Sequence, residues 1–333
     1  MQSQNQFEPE WVEKHKTTTE WLSDCVELQE FSWQVEKGRI YLCRLWPGLA
    51  VWMNEVYMHS LPCEIYTDYP FLKLNYCTTG RCETLLENGR YVYLENGDLS
   101  IDRNAPKESF RYPSGKYEGL EIVFHMELLK EQPVPSLTDF GIETGLQRFL
   151  EKMVQGSFFA RVSPEWDKLA QVLMQRLKAA DGRIEEYRFL TIQLLYNLFA
   201  GNTVTRKHSI YVTKGQRLIA EKARERLCRD FRTRPSIEEL AAEFGVSPSS
   251  LKKYFVQVYG CSVSEYVREA RMEYACQLLT DTRMSIGEIA ADTGYINQGK
   301  FGSVFKRHTG ETPLEYRRRN AIENTGGKNS CKK

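Results

Sequence analysis

Hydrophobic residues along this chain follow two periods. From about Phe31 to Phe124 they gather in short runs rich in β-branched and aromatic residues, such as GRIYLCRLWPGLAVWM, divided by turn signals. Pro47-Gly48 breaks the first run. Asn88-Gly89 separates ETLLE from RYVYLE, and both positions tolerate the positive φ that a tight hairpin needs. Asn96-Gly97 opens DLSI, and YPSGKYEG precedes LEIVF. Short strands at this spacing predict a small barrel or sandwich. After Phe124 the period becomes helical. Trp166, Leu169, Leu173 and Leu177 share one face, behind Ser163 as N-cap and Pro164 at the first helical position. Phe189, Ile192, Leu195 and Phe199 form a second stripe, joined to the first by Asp181-Gly182 and closed by Gly201-Asn202. The expected unit is an antiparallel helix pair, whose apolar faces cover either the β-rich part or a partner subunit. Residues 202–215, NTVTRKHSIYVTKG, are polar without a stripe and read as a linker.

The remainder contains a repeat. IEELAAEFG, Ile237 to Gly245, lies 49 residues before IGEIAADTG, Ile286 to Gly294. The register then slips by one. At an offset of 50, Leu251 matches Phe301, Phe255 matches Phe305, Gly260 matches Gly310 and Tyr266 matches Tyr316. Ile237, Leu240, Ala241 and Phe244 line one helix face. Gly245 falls where a chain leaving a helix adopts the left-handed conformation. Ser247 then caps a second helix with Pro248 at its first position, and Leu251 and Phe255 turn that helix onto the first. The second copy uses Ile286, Ile289, Ala290, Gly294, Phe301 and Phe305. Each copy predicts helix, short turn, helix. Between them SEYVREARMEYACQLL has no breaker, and Val267, Ala270, Tyr274 and Leu278 recur at helical spacing.

Charge separates the two parts. The 333 residues suggest about two domains. The net charge is only +1, but residues 214–333 carry +7 and residues 1–213 carry −6. A polyanion partner is therefore expected for the C-terminal part alone. The nine cysteines include no C-x-x-C, which points to free thiols in a reducing compartment. The start, MQSQNQFEPEWVEKHK, lacks the apolar core of a signal peptide. The uncharged run from Phe189 to Val204 is shorter than the ~18 residues of a membrane span. A cytoplasmic protein without membrane contact is expected. Five scattered histidines form no metal-ligand pattern, so neither metal nor cofactor is expected.

Two such units at fixed spacing in a basic segment resemble the DNA-binding domain of the AraC/XylS family of bacterial transcription regulators. The resemblance runs from about Gln216 to Arg318 and includes the closing GETPLEYRR. It implies an α+β chain, with a cupin-like β-barrel sensor and a helical pair ahead of an all-α DNA reader. The expected boundaries are 1–160 for the effector-sensing part, 161–215 for the helical pair and linker, and 216–333 for the reader. The reader's two units are expected at 237–258 and 286–308. NYCTTGRCE and YPSGKYEGLEI resemble pieces of the family's effector domains. Pocket candidates are Arg39, Trp46, Trp52, Tyr76, Arg81, Tyr91 and Tyr93, each of which ordinary packing explains equally well. The resemblance further implies double-stranded DNA, an unidentified small-molecule effector, a homodimer and, for an activator, RNA polymerase as partners.

Residues of the second helix in each unit that point away from its core face the major groove. In the first unit these are Ser249, Lys252 and Lys253. In the second they are Asn297, Gln298, Gly299, Lys300, Gly302 and Ser303. Gln298 suits a bidentate contact to adenine, whereas Asn297 serves either as a reader or as the helix N-cap. Lys306, Arg307, Arg317 and Arg318 suit phosphate contacts that position without reading sequence. Family members often carry larger polar or basic residues where Gly299, Gly302 and Ser303 stand. The second unit is therefore expected to contribute less base specificity than the first.

Two other readings compete. The helices could form a protein-interaction module. Gly294-Tyr-Ile-Asn-Gln-Gly299-Lys300 also matches most of a phosphate-binding loop and would make the chain a nucleotide-binding enzyme. That motif requires Ser or Thr after the lysine and a preceding strand. Here Phe301 follows, and SIGEIAADT has a helical pattern, so no catalytic residue is assigned.

Overall fold

The computed structural model describes residues 16–33, 36–62, 71–103, 109–151, 153, 157–199, 204–206, 211–233 and 235–326. The chain divides into two compact units, Met1–Lys214 and Gly215–Lys333. Among the described residues the first opens with eleven strands: β1 (Lys16–Trp21), β2 (Glu27–Trp33), β3 (Glu36–Trp46), β4 (Leu49–Tyr57), β5 (Ser60–Pro62), β6 (Phe71–Gly80), β7 (Cys82–Leu85), β8 (Tyr91–Leu94), β9 (Asp98–Asp102), β10 (Ser109–Arg111) and β11 (Tyr117–His125). Then follow α1 (Met126–Glu131), α2 (Pro135–Asp139), α3 (Ile142–Glu151), β12 (Ser157–Val162), α4 (Pro164–Ala179), α5 (Ile184–Phe199) and β13 (Val204–Arg206).

The turn signals act where expected. Gly48, Gly89, Gly97 and Gly115 all take positive φ between strands. Nine strands form one antiparallel sheet in the order β1-β2-β3-β4-β11-β6-β9-β12-β13, while β5 pairs with β10 and β7 with β8. The expected barrel is therefore not closed by hydrogen bonds among the described residues. Both faces of the sheet are instead covered by other elements. Tyr41, Cys43, Val51, Leu74, Leu120 and Ile122 pack with Trp166, Leu173, Leu177 and Leu194 of α4 and α5. On the opposite face Ile40, Leu42, Val56, Cys77 and Val123 pack with Val92, Leu94 and Tyr112 from the small sheets and their flanks. With both faces occupied, the strands read as near-continuous apolar runs.

Ser163 accepts from Trp166 N at 3.2 Å and starts α4 as expected. Three expectations are corrected. The region after Phe124 is not all helical, because β12 pairs with β9 and extends the sheet. Phe189 is 68% exposed, so the buried stripe of α5 is instead Tyr187, Thr191, Ile192, Leu194, Leu195, Leu198 and Phe199. The segment read as a linker is partly fastened to the sheet: β13 pairs with β12, and Val212 bridges Tyr91. Residues 200–203 and 207–210 lie outside the described residues.

The second unit comprises α6 (Lys214–Cys228), α7 (Ile237–Glu243), α8 (Pro248–Tyr259), α9 (Val263–Asp281), α10 (Ile286–Asp292), α11 (Gln298–Thr309) and α12 (Pro313–Gly326). The helix α9 buries Val263, Val267, Met272, Ala275 and Leu279, a face rotated from the expected Val267, Ala270, Tyr274 and Leu278 stripe. It serves helices on more than one side, so a single stripe does not describe it. Among the described residues, no helix is long and apolar enough to cross a membrane.

Candidate nucleic-acid interface

The pairs α7–α8 and α10–α11 are built from matching parts. Ser236 and Ser285 each begin a capping box. Glu239 N donates to Ser236 Oγ at 3.1 Å while Ser236 N donates to Glu239 Oε2 at 2.7 Å. Ser285 and Glu288 repeat this at 3.2 and 2.7 Å. These hydrogen bonds hold both glutamates below the usual carboxylate range, because they favour the charged form.

Gly245 and Gly294 then take φ of +65° and +78°. The helix ends close through Val246 N to Ala241 O at 3.0 Å and Tyr295 N to Ala290 O at 2.8 Å. The next helices are capped by Ser247, which accepts from Ser250 N at 3.1 Å, and by Asn297, which accepts from Lys300 N at 2.9 Å. Leu251, Phe255, Phe301 and Phe305 are fully buried. The edge of Phe255 meets Tyr266 at 5.5 Å and 83°, and that of Phe305 meets Tyr316 at 5.5 Å and 85°. The repeat legible in the sequence is thus a repeat of packing.

Outward residues gather on the second helix of each pair. On α8, Ser249, Lys252 and Lys253 are exposed. The Ser249 hydroxyl is 2.9 Å from that of Ser247. On α11, Gln298, Lys300, Ser303, Lys306 and Arg307 are exposed. Ser303 turns its hydroxyl onto Gly299 O at 3.0 Å. Asn297 occupies the capping position, with its side-chain oxygen committed there. Arg318 is exposed on α12. Arg317 is placed differently from expectation. Its guanidinium donates to Met284 O at 2.6 Å and Leu279 O at 3.4 Å, fastening α12 to the end of α9.

The glycines of α11 answer to different neighbours. A Cβ on Gly302 would meet nothing within 4 Å, and one on Gly299 would meet only Asn297 Oδ1 at 3.1 Å. One residue that sequence reasoning missed is Ile296, which projects fully into solvent beside the cap. The signal was the slip from 49 to 50. Val246 and Tyr295 make equivalent bonds, and so do Ser247 and Asn297, so Ile296 is the added residue.

The phosphate-loop geometry is not present. Helix α10 precedes the motif, Gly294 lies in a turn between helices, and Gly299 and Lys300 lie in the first turn of α11. The pocket candidates do not converge either. Tyr76 and Trp46 lie on the helix-covered face. Tyr76 Oη donates to Asp167, and Trp46 carries the Arg188 guanidinium 5.0 Å above its ring. Trp52 lies on the opposite face and donates to Glu121 Oε2 at 2.5 Å. Arg81 and Tyr93 do meet, at 5.3 Å. Tyr91 pairs with Val212 through backbone, and Arg39 is exposed in an ion pair with Glu30 at 2.9 Å.

The face bearing Trp52 also collects buried and half-buried polar residues that sequence reasoning passed over. Lys73 is 3.5 Å from Glu121. Asp102 accepts from Ser100 and Ser157 at 2.6 and 2.9 Å, and burial raises its carboxyl above the usual range. Single charges inside otherwise apolar strands were the available signal, as in FLKLNYC and LEIVF.

A family model described as a helix-turn-helix domain matches residues 240–319. The chain is 34% identical over 95 residues to a probable transcription factor, PqrA, of Proteus vulgaris, covering 28% of this chain and 78% of that one. It is 37% identical over 81 residues to the virulence regulon transcriptional activator VirF of Yersinia enterocolitica, covering 24% of this chain and 30% of VirF. Among solved structures, the C-terminal domain of AraT, a response regulator from Geobacillus stearothermophilus, is 34% identical. That match covers 30% of this chain and 84% of the other, with a TM-score of 0.29. With its paired helix-turn-helix units and its 34% identity across 78% of PqrA, the chain belongs to the AraC family of DNA-binding transcription regulators.

Proposed function

We propose that this chain is a ligand-responsive, dimeric transcriptional activator of the cytoplasm, reading two successive major grooves of double-stranded DNA. The observation that carries this is the duplicated unit, whose second helices both expose basic and polar side chains. Sensing falls to residues 1–160, pairing of subunits to 161–215 and DNA reading to 216–333. Ser249, Lys252, Lys253, Gln298 and Lys300 face bases, with Ser303 beside them and the Asn297 amide NH₂ left to donate. Lys306, Arg307 and Arg318 hold phosphates. Two such helices enter grooves about 34 Å apart. Contact with about six phosphates gives a salt dependence of slope near −5. As VirF is named a transcriptional activator, RNA polymerase is the proposed further partner.

The effector binds near Trp52, Lys73, Asp102 and Glu121, beneath the small sheets that cover this face, where a polar small molecule finds both signs of charge. Subunits pair through α4 and α5, whose Val172, Phe189 and Tyr196 are exposed. Selection of duplexes from a random library, followed by a gel shift with competitor DNA, tests the central statement. Enrichment of a sequence, and binding that weakens with salt, are expected. Binding indifferent to salt and sequence would favour a protein-interaction module. Sedimentation of Phe189→Glu should show monomers where the unaltered chain shows dimers.

A further inference from the structure

The linker helix α9 is not the sole fastening between the two helix-turn-helix pairs. The loop ahead of the first pair, Asp230 to Thr233, packs on the turn of the second. Arg271 of α9 lies between them. Its Nη2 donates to the Phe231 carbonyl at 3.0 Å. Its guanidinium lies 6.0 Å from the Phe231 ring centre and 5.6 Å from that of Tyr295. Gly294 comes so near that a Cβ there would sit 2.2 Å from the Phe231 carbonyl oxygen and 2.8 Å from Arg271 Nη2. Around this centre Tyr274 Oη donates to Asp292 Oδ2 at 2.8 Å, and the rings of Phe231 and Tyr274 are 5.7 Å apart. Arg232 Nη1 lies 3.7 Å from Asp292 Oδ1.

We propose that this cluster is a clasp, and that Arg271 is a positioning residue fixing the separation and rotation of α8 and α11. The proposal rests on the two-groove reading of DNA above. A helix joined to its neighbours by short turns leaves torsions free at each end. A second attachment, closing a loop through Phe231, removes that freedom. A planar guanidinium can face two rings and donate to a carbonyl at once, which a lysine ammonium cannot reproduce. One base pair added between two sites rotates one against the other by about a tenth of a turn. A rigid reader penalises that change, and a loosened one follows it.

The test uses the full chain and a duplex that it selects from a random library. The distance between the two selected boxes is then altered by one, two and five base pairs, and affinity is read by fluorescence anisotropy. For the unaltered chain a one-base-pair change should weaken binding roughly ten-fold, like a spoiled base contact. Arg271→Met should bind the original duplex more weakly, with that penalty shrinking to about two-fold, and should leave binding to the first box alone unchanged. Arg271→Lys should fall between. Val258→Ala, a change at a buried residue of α8 away from the clasp, controls for lost stability and should keep the steep spacing profile. An Arg271→Met profile as steep as that of the unaltered chain would overturn the clasp and leave the DNA reading intact. Selection of a single box, or of none, would overturn the two-groove reading and the clasp with it.

Discussion

In the first helix-turn-helix pair, a side chain added at the turn glycine Gly245 would meet nothing within 4 Å. In the second, Gly294 is pressed against the Phe231 carbonyl. Both glycines take the same left-handed conformation for the same reason, to leave one helix and enter the next. Only the second also serves as a contact surface. The caps, the buried phenylalanines and the edge-on tyrosines match closely, so the frame of the unit depends on a few local rules. Its surroundings do not follow from those rules. Two copies of one motif can therefore have equal architecture and unequal roles.

The largest expected effects test the equality. Phe255→Ala and Phe305→Ala should each cost about 3–5 kcal/mol in chemical denaturation of the reader. Costs that differ by more than half would break the equivalence of the two cores. Gly294→Ala should cost about 3 kcal/mol, combining left-handed strain with a clash, against about 1 for Gly245→Ala. Equal losses would mean that the crowding at Gly294 is relieved freely. Lys252→Ala with Lys253→Ala should remove about 1–3 kcal/mol of discrimination between selected and scrambled duplexes. The same measurement on Gln298→Ala with Lys300→Ala should show less, and a larger loss there would reverse the proposed ranking of the units. Gly302→Ala should raise stability by about 0.5–1 kcal/mol, because nothing crowds the site and glycine weakens a helix.

The smallest effect is the pH response of the capping boxes. Glu239 and Glu288 have lowered folded-state pKa values, so their contribution is complete above the ordinary value of 4.5. It is lost as pH falls through the lowered value. Resonance titration of the two carboxyls should show parallel curves, and a divergence would reveal a difference in the first turns.

Much of the reader was legible because its rules are local. The turn glycines Gly245 and Gly294, the cap Ser247 with Pro248, and the pairs Leu251/Phe255 and Phe301/Phe305 four apart each act within about one turn of helix. Arg317 and Arg271 were not legible in this way. Their partners, Met284 and Phe231, are 33 and 40 residues distant, and an arginine's sequence position does not say whether it faces water or a carbonyl. In the first unit the turns were found from Asn-Gly and Pro-Gly. The strand Ser157–Val162 was hidden by the helices flanking it, and its pairing with Asp98–Asp102 depends on distant chain. The pocket residues were chosen by type, and alternation along the strands sends Tyr76 and Trp52 to opposite faces of the sheet.

Ile296 gives the repeat a use. It lengthens the second turn by one residue where nothing packs upon it, so the helix beyond resumes the same contacts as its counterpart. The two copies are then interchangeable parts with collars of different length. A chimaera that moves Pro248–Tyr259 into the place of Gln298–Thr309 keeps a buried Leu or Phe followed four residues later by a buried Phe, provided the longer collar stays behind. Such exchanges would keep the packing frame of the unit while changing the side chains that it presents.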